Sequence, residues 1–178
     1  MKQQGFTLTE TLVTTAIIAI ISSAGMDTFQ GLIQKTRAHS DFSELLLQVR
    51  TARQYAITHS QQVVLCPSFD STNCINNWKA PKLIFFDSND NKKRDSSEAI
   101  ERRFNAINSP NSVIKYSKTQ IRFNEQGVTH FFNGTLAYCL DDLVQGLVIS
   151  RLGRIRIAHD LNGDNIPDVS KDKTVSCL

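Results

Sequence analysis

The sequence predicts an α+β protein, a long N-terminal helix followed by an antiparallel β-sheet head. Three observations carry this. A nearly uncharged apolar run opens the chain, and a stretch with apolar residues at steps of three and four follows it. After Ser60 the pattern changes to short β-rich runs divided by Asn, Asp, Gly, Pro and Ser. At 178 residues, 40% hydrophobic and 21% charged, the chain can bury one ordinary core. Its formal charge of +3 is mild, so any case for nucleic acid rests on where the charges cluster.

The first element begins with "MKQQG" and continues as "FTLTETLVTTAIIAIISSAGM", where Glu10 is the one charge between Phe6 and Met26. A secretory signal peptide would end at a small-residue site such as Ser22-Ser23-Ala24-Gly25. It has no use for a carboxylate within the apolar run, where a charge costs about 2–3 kcal/mol in lipid. The stretch "GFTLTE", with Gly5, Phe6, Thr7, Leu8 and Glu10 in register ahead of an apolar helix, resembles the processing site of type IV prepilins. The resemblance implies a leader over 1–5, cut by prepilin peptidase between Gly5 and Phe6, and N-methylation of Phe6. It also implies that Glu10 pairs with the N-terminal amine of a neighbouring pilin as subunits leave the inner membrane for a filament.

The helix is expected to continue, because Phe29, Leu32, Ile33, Phe42, Leu45, Leu46, Val49, Ala52, Ala56 and Ile57 mark one face while Lys35, Arg37, Glu44, Arg50 and Arg53 fall elsewhere. One helix from about Phe6 to about His59 would be about 80 Å long. It divides into a transmembrane part over 6–26 and an amphipathic part over 27–60, with Gly25 and Gly31 as places to bend. The head, 61–178, contains the runs "QVVLC", "KLIFFD", "SVIKYS", "QIRFN", "THFF", "TLAYCL", "GLVIS" and "RIRIA", which read as strands. Parallel strands need crossover helices, and none intervenes. One antiparallel sheet packed on the amphipathic half-helix is the economical arrangement.

Cys66, Cys74, Cys139 and Cys177 do not match zinc-site spacing. Of three pairings, Cys66–Cys74 and Cys139–Cys177 are favoured, the first closing a short loop and the second tying down the C-terminus; free buried thiols are the alternative. "DSNDNKKRDSSE" places Asp87, Asn89, Asn91, Asp95 and Glu98 at calcium-loop positions, but Lys92 replaces the turn glycine and Lys93 and Arg94 would repel a cation. "DLNGDNIPD" offers Asp160, Asn162, Asp164 and Asp168, with Lys171 at the last ligand position. Both read as Asx-rich turns. No nucleophile elbow, HExxH or phosphate loop occurs, and His39, His59, His130 and His159 are scattered, so neither an enzyme nor a metal or other cofactor is expected.

Further segments are Cys66-Pro67-Ser68 with Cys74 and Trp78, Phe85-Phe86-Asp87, a turn from Phe123 to Gly127, Asn133 to Cys139, and the "GRIR" of Gly153–Arg156. Together they resemble the FimT/GspH group of minor pilins and pseudopilins, although "KAPK" after Trp78 stands where that group would carry a glycine. The resemblance implies a type IV pilin fold.

On a strand, Arg154 and Arg156 would share one face about 7 Å apart, with Ile155 and Ile157 on the other. Gly153 would permit a tight turn, and Arg151 could join the pair. Such guanidinium groups suit successive phosphates, and they equally suit protection of a sheet edge. The similarity of GRxR to FimT-type minor pilins implies sequence-independent binding of double-stranded DNA during natural transformation. The alternative is a GspH-like pseudopilin of type II secretion, or a purely structural minor pilin. Lys115 and Lys118 are weaker candidates, and Arg102, Arg103 and Arg122 could widen the patch. No aromatic-lined groove for single strands is evident. The implied setting is the inner membrane, single-pass with a periplasmic head, and the pilus at the surface of a Gram-negative bacterium, among other major and minor pilins.

Overall fold

The computed structural model describes residues 5–177, apart from the side chains of 23–29. Residues 1–4 of the expected leader, and the expected contributions of Gly25 and Phe29, lie outside the described residues. Helix α1 spans Leu8–His59, and the chain forms two compact units, 1–37 and 38–178.

In the first unit Thr7 caps α1, its Oγ1 accepting from the Glu10 amide at 3.3 Å, with Glu10 in the first turn where a carboxylate complements the helix dipole. The hydroxyls of Thr11, Thr14 and Thr15 bond back to carbonyls three and four residues earlier, which removes free polar groups from an apolar helix. Phe6, Leu12, Ile17, Ile18, Ile20 and Ile21 are all exposed within this unit. Among the described residues no helix is long and apolar enough to cross a membrane. The apolar run of the sequence continues into 23–26, whose side chains are outside the description.

In the second unit α1 buries Ala38, Phe42, Leu45, Val49, Ala52 and Ala56, one face at alternating steps of four and three. This face meets strands from the series β1 (Val63–Pro67), β2 (Lys82–Phe86), β3 (Ile100–Phe104), β4 (Ser112–Lys115), β5 (Ile121–Phe123), β6 (Gly134–Leu140), β7 (Leu143–Ile149) and β8 (Ile155–Ile157). The chain ends with β9 (Asp168–Ser170) and β10 (Lys173–Thr174), which lie outside this core. They form two four-stranded antiparallel sheets, β3-β2-β1-β5 and β4-β6-β7-β8, with β9 and β10 as a separate ribbon. The head thus has two main sheets where the sequence suggested one. The division falls between β4 and β5, because β5 pairs with β1 while β4 pairs with β6.

Four strand assignments change, two of them the short β9 and β10, which match none of the runs read as strands. "THFF" is a turn, because the Thr129 and His130 amides bond to the Arg151 carbonyl and His130 takes φ +44°. Conversely "IERRF" is strand β3, a sheet edge whose three charged residues are exposed. The core combines α1 with Val63, Leu65, Ile84, Ile121 and Phe123 of one sheet and Ile114, Leu136, Tyr138, Leu147 and Ile149 of the other. Each such buried side chain contributes about 1.5–3 kcal/mol. Trp78 fixes the β4–β5 connection, donating from Nε1 to the Lys118 carbonyl at 2.9 Å and packing edge-on against Tyr116.

The cysteines form Cys66–Cys74 and Cys139–Cys177 disulfides. The second lays the C-terminal segment on the outer face of the β4-β6-β7-β8 sheet, where Val175 packs with Ala137 and Ala158. Gly146 leaves room for it, since a β-carbon there would come 2.4 Å from Val175 Cγ2.

Candidate nucleic-acid interface

Strands β7 and β8 are joined by Ser150–Arg154, with Ile149 opposite Ile155. The Ser150 amide donates to the Arg154 carbonyl at 2.9 Å, and the Gly153 amide to the Ser150 carbonyl at 2.9 Å. The Arg154 amide donates to Ser150 Oγ at 3.0 Å. Gly153 has φ +75° and is buried against the Gly127 carbonyl, which also accepts a bond from Arg53 Nε at 3.1 Å. The Arg151 carbonyl accepts from Thr129 and His130, and Thr129 Oγ1 donates to the Ser150 carbonyl at 2.8 Å. The turn is therefore held from three sides, by α1, by residues 127–130 and by its own closure.

This scaffold presents Arg151, Leu152 and Arg154 to solvent. Arg154 is the last turn residue, one position before β8, so the two arginines of GRxR do not both stand on the strand. Arg156 is in the strand, opposite Val148, and is half-buried; its Nη2 donates to the Val169 carbonyl in β9. Ile155 and Ile157 pack on the core, which turns Arg156 to the outer face.

The other predicted basic residues separate into two groups. Lys115 is exposed on β4, at the opposite edge of the same sheet, three strand spacings (about 14 Å) across it and offset along the strands from the turn. A groove of about 910 Å³ on the outer face is lined from Lys115 to Ser150 and along Lys173–Ser176. Arg102 and Arg103 are exposed on β3 of the other sheet, Arg102 over the Phe104 ring and Arg103 bonded to Ser71 Oγ. Lys118 and Arg122 are engaged internally. Lys118 Nζ donates to the carbonyls of Phe131 and Asn133, and burial lowers its pKa. Arg122 is buried and pairs with Asp87 at 2.6 Å and Asp90 at 2.5 Å.

That pair also accounts for the first acidic loop. Arg122 engages Asp87, the first of the five loop positions, and Lys92, at the position of the missing glycine, takes φ +69°. Burial raises the Asp87 pKa, while Arg122 and the amides of Lys92 and Asn91 oppose it. In the second loop Asp160 accepts the amides of Asn162, Gly163 and Asn165, and the Gly163 bond leads the lowering of its pKa. Among the described residues no group of three His, Cys, Asp or Glu is placed to hold a metal.

Sequence reasoning missed the exposed ring of Phe131, because it placed "THFF" in a strand. The signal was local: His130 and Asn133-Gly134 bracket the two aromatics with residues suited to turns.

The sequence model of the family described as type II transport protein GspH matches residues 42–153, more than half of the chain. That of the prokaryotic N-terminal methylation motif matches residues 1–26. Comparison with curated protein sequences gives no match. Among solved structures, the type IV minor pilin FimU of Pseudomonas aeruginosa matches with a TM-score of 0.54 at 19% identity, over 69% of this chain and 89% of that one. A second crystal form of FimU gives 0.49 at the same identity, over 69% and 90%. The first likeness shows the type IV pilin fold and nothing finer. The family match ends at Gly153, so Arg154 and Arg156 lie just beyond it. With its methylation motif, long helix and two-sheet head, this chain belongs to the GspH family and has the type IV pilin fold.

Proposed function

We propose that this chain is a minor pilin whose β7–β8 turn binds double-stranded DNA without sequence preference and assists DNA uptake in natural transformation. The observation that carries this reading is the exposure of Arg151 and Arg154 on a braced turn. Among the described residues neither is ion-paired. An edge-protecting arginine needs no such bracing, whereas positioned guanidinium groups suit phosphates. Arg156 adds a third charge with part of its hydrogen-bonding capacity already used.

Before assembly the helix spans the inner membrane once, with the head in the periplasm, where both disulfides are stable. Cleavage after Gly5 leaves N-methylated Phe6, and Glu10 pairs with a neighbouring N-terminus in the filament. The exposed Phe6, Leu8, Leu12, Val13, Ile17 and Ile18, with Ile20 and Ile21, suit lipid first and other pilins later. A second reading, a pseudopilin of type II secretion, is favoured by the description of the matched family and by the end of that match before Arg154.

The test uses the full chain in detergent micelles with labelled duplexes of unrelated sequence. Similar modest affinities are expected, with a log–log salt slope of about −2 to −3. Arg151→Ala with Arg154→Ala should shallow the slope by about one per arginine. A folded double variant that binds like the parent would overturn the DNA reading and leave the secretion reading in its place.

A further inference from the structure

Beside the arginine turn lies a cleft of about 400 Å³, lined by Arg122, Asn124, His130 and Phe131, with Lys92 and Asp90 also on its wall. Resting on the DNA-binding reading, we infer that this cleft takes an unpaired nucleobase, with Phe131 as its stacking face, so that the protein grips single-stranded DNA at least as well as duplex.

Three observations support this. The Phe131 side chain is 77% exposed, yet its backbone is held firmly: the Lys118 ammonium and the Tyr116 hydroxyl donate to the carbonyls of residues 131–133, and Arg122 lies over the Phe132 ring at 5.4 Å. A rigidly mounted, solvent-facing ring loses little conformational freedom when a base stacks on it.

Arg122 lines the cleft with its Nη2 already paired with both aspartates. The volume suits one flat heterocycle, near the lower end of small-ligand sites.

Finally, the cleft and the arginines are structurally one. The His130 amide bonds to the Arg151 carbonyl at 3.2 Å, so the segment that carries Phe131 is joined directly to the arginine turn. Lys92 and Arg122 line the cleft against Asp90, which Arg122 already engages, and the exposed Arg151 and Arg154 belong to the adjoining turn. That balance favours a polyanion over an apolar peptide.

The experiment compares the full chain in micelles with its Phe131→Ala and Phe131→Trp variants, binding a labelled 20-nucleotide thymidine strand and a labelled 20-base-pair duplex at one salt concentration. The parent should bind the single strand at least as tightly as the duplex. Phe131→Ala should weaken the single strand about five-fold or more and the duplex less than two-fold, and Phe131→Trp should restore single-strand binding. The side chain is exposed, so neither variant should alter the melting temperature. Unchanged single-strand binding in Phe131→Ala, with duplex binding present in the parent, would overturn this inference alone. Intact binding to both DNAs combined with loss of the subunit from pili would overturn it in favour of a pilin contact. No binding of either DNA by the parent would remove the underlying DNA reading as well.

Discussion

A β-carbon placed on Gly153 would stand 1.7 Å from the carbonyl oxygen of Gly127. The glycine of GRxR is therefore where two loops of the head meet, a part distinct from that of the arginines that follow it. Its φ of +75° adds a second requirement for glycine.

Gly153→Ala should accordingly destabilise the head by at least about 2 kcal/mol, from a left-handed backbone penalty plus the separation of the loops. Thermal unfolding should show a fall of several degrees. The Arg53–Gly127 bond should weaken with it, whereas Arg154→Ala should leave the melting temperature unchanged.

Arg156→Ala should behave differently from Arg154→Ala. It removes the bond to the Val169 carbonyl and part of the packing between β8 and β9, a loss of about 1 kcal/mol. Calorimetry of the two single variants separates the structural arginine from the exposed one.

Lys82 gives a pH dependence. It is buried beneath α1, with Nζ donating to the Ala80 carbonyl, and burial lowers its pKa from 10.5 to about 8 against the opposing charges of Glu44 and Asp41. Below pH 8 the amine is protonated in both states and the buried charge is fully unfavourable. Between pH 8 and 10.5 the folded amine is neutral while the unfolded one keeps its proton, so this group makes stability rise with pH. Lys82→Met should be more stable than the parent at pH 7, by about 2–3 kcal/mol, and the difference should shrink by pH 10. Paired melts at pH 7, 9 and 10 give the comparison.

The disulfides should contribute unequally. Loop-closure entropy assigns about 2.5 kcal/mol to the 8-residue Cys66–Cys74 separation and about 4 kcal/mol to the 38-residue Cys139–Cys177 separation. Removing the second also frees Val175 from the Gly146 notch. Paired Cys→Ser variants, unfolded in urea, should show the larger loss for Cys139 and Cys177.

Mass spectrometry of protein extracted from membranes should find a chain beginning with N-methylated Phe6. A chain beginning near Gly25, or an intact Met1, would contradict processing at Gly5.

The helix was legible because Phe42, Leu45, Val49, Ala52 and Ala56 repeat at helical spacing, and the disulfide pairing in the structure is the one that loop lengths favoured. The sheet division was not legible. Nothing local tells β5 to leave its sequence neighbour β4 and pair with β1, a choice made by long-range packing around Trp78 and α1. Strand β3 was hidden by "ERR", since an edge strand facing solvent shows little apolar alternation. At the candidate site the exposed arginines could be read from charge alone. The separation of Arg122 and Lys118 from them depended on partners such as Asp87 and Phe131, distant in sequence.

The Cys139–Cys177 cystine also determines how the head bears mechanical load. Tension applied at the C-terminus enters directly at β6, and the 38-residue stretch within the closed ring adds none of its roughly 130 Å of contour while the bond is intact. Arg154 lies inside that ring. A pull on its guanidinium divides between two covalent routes to β6, back through β7 and onward through the cystine.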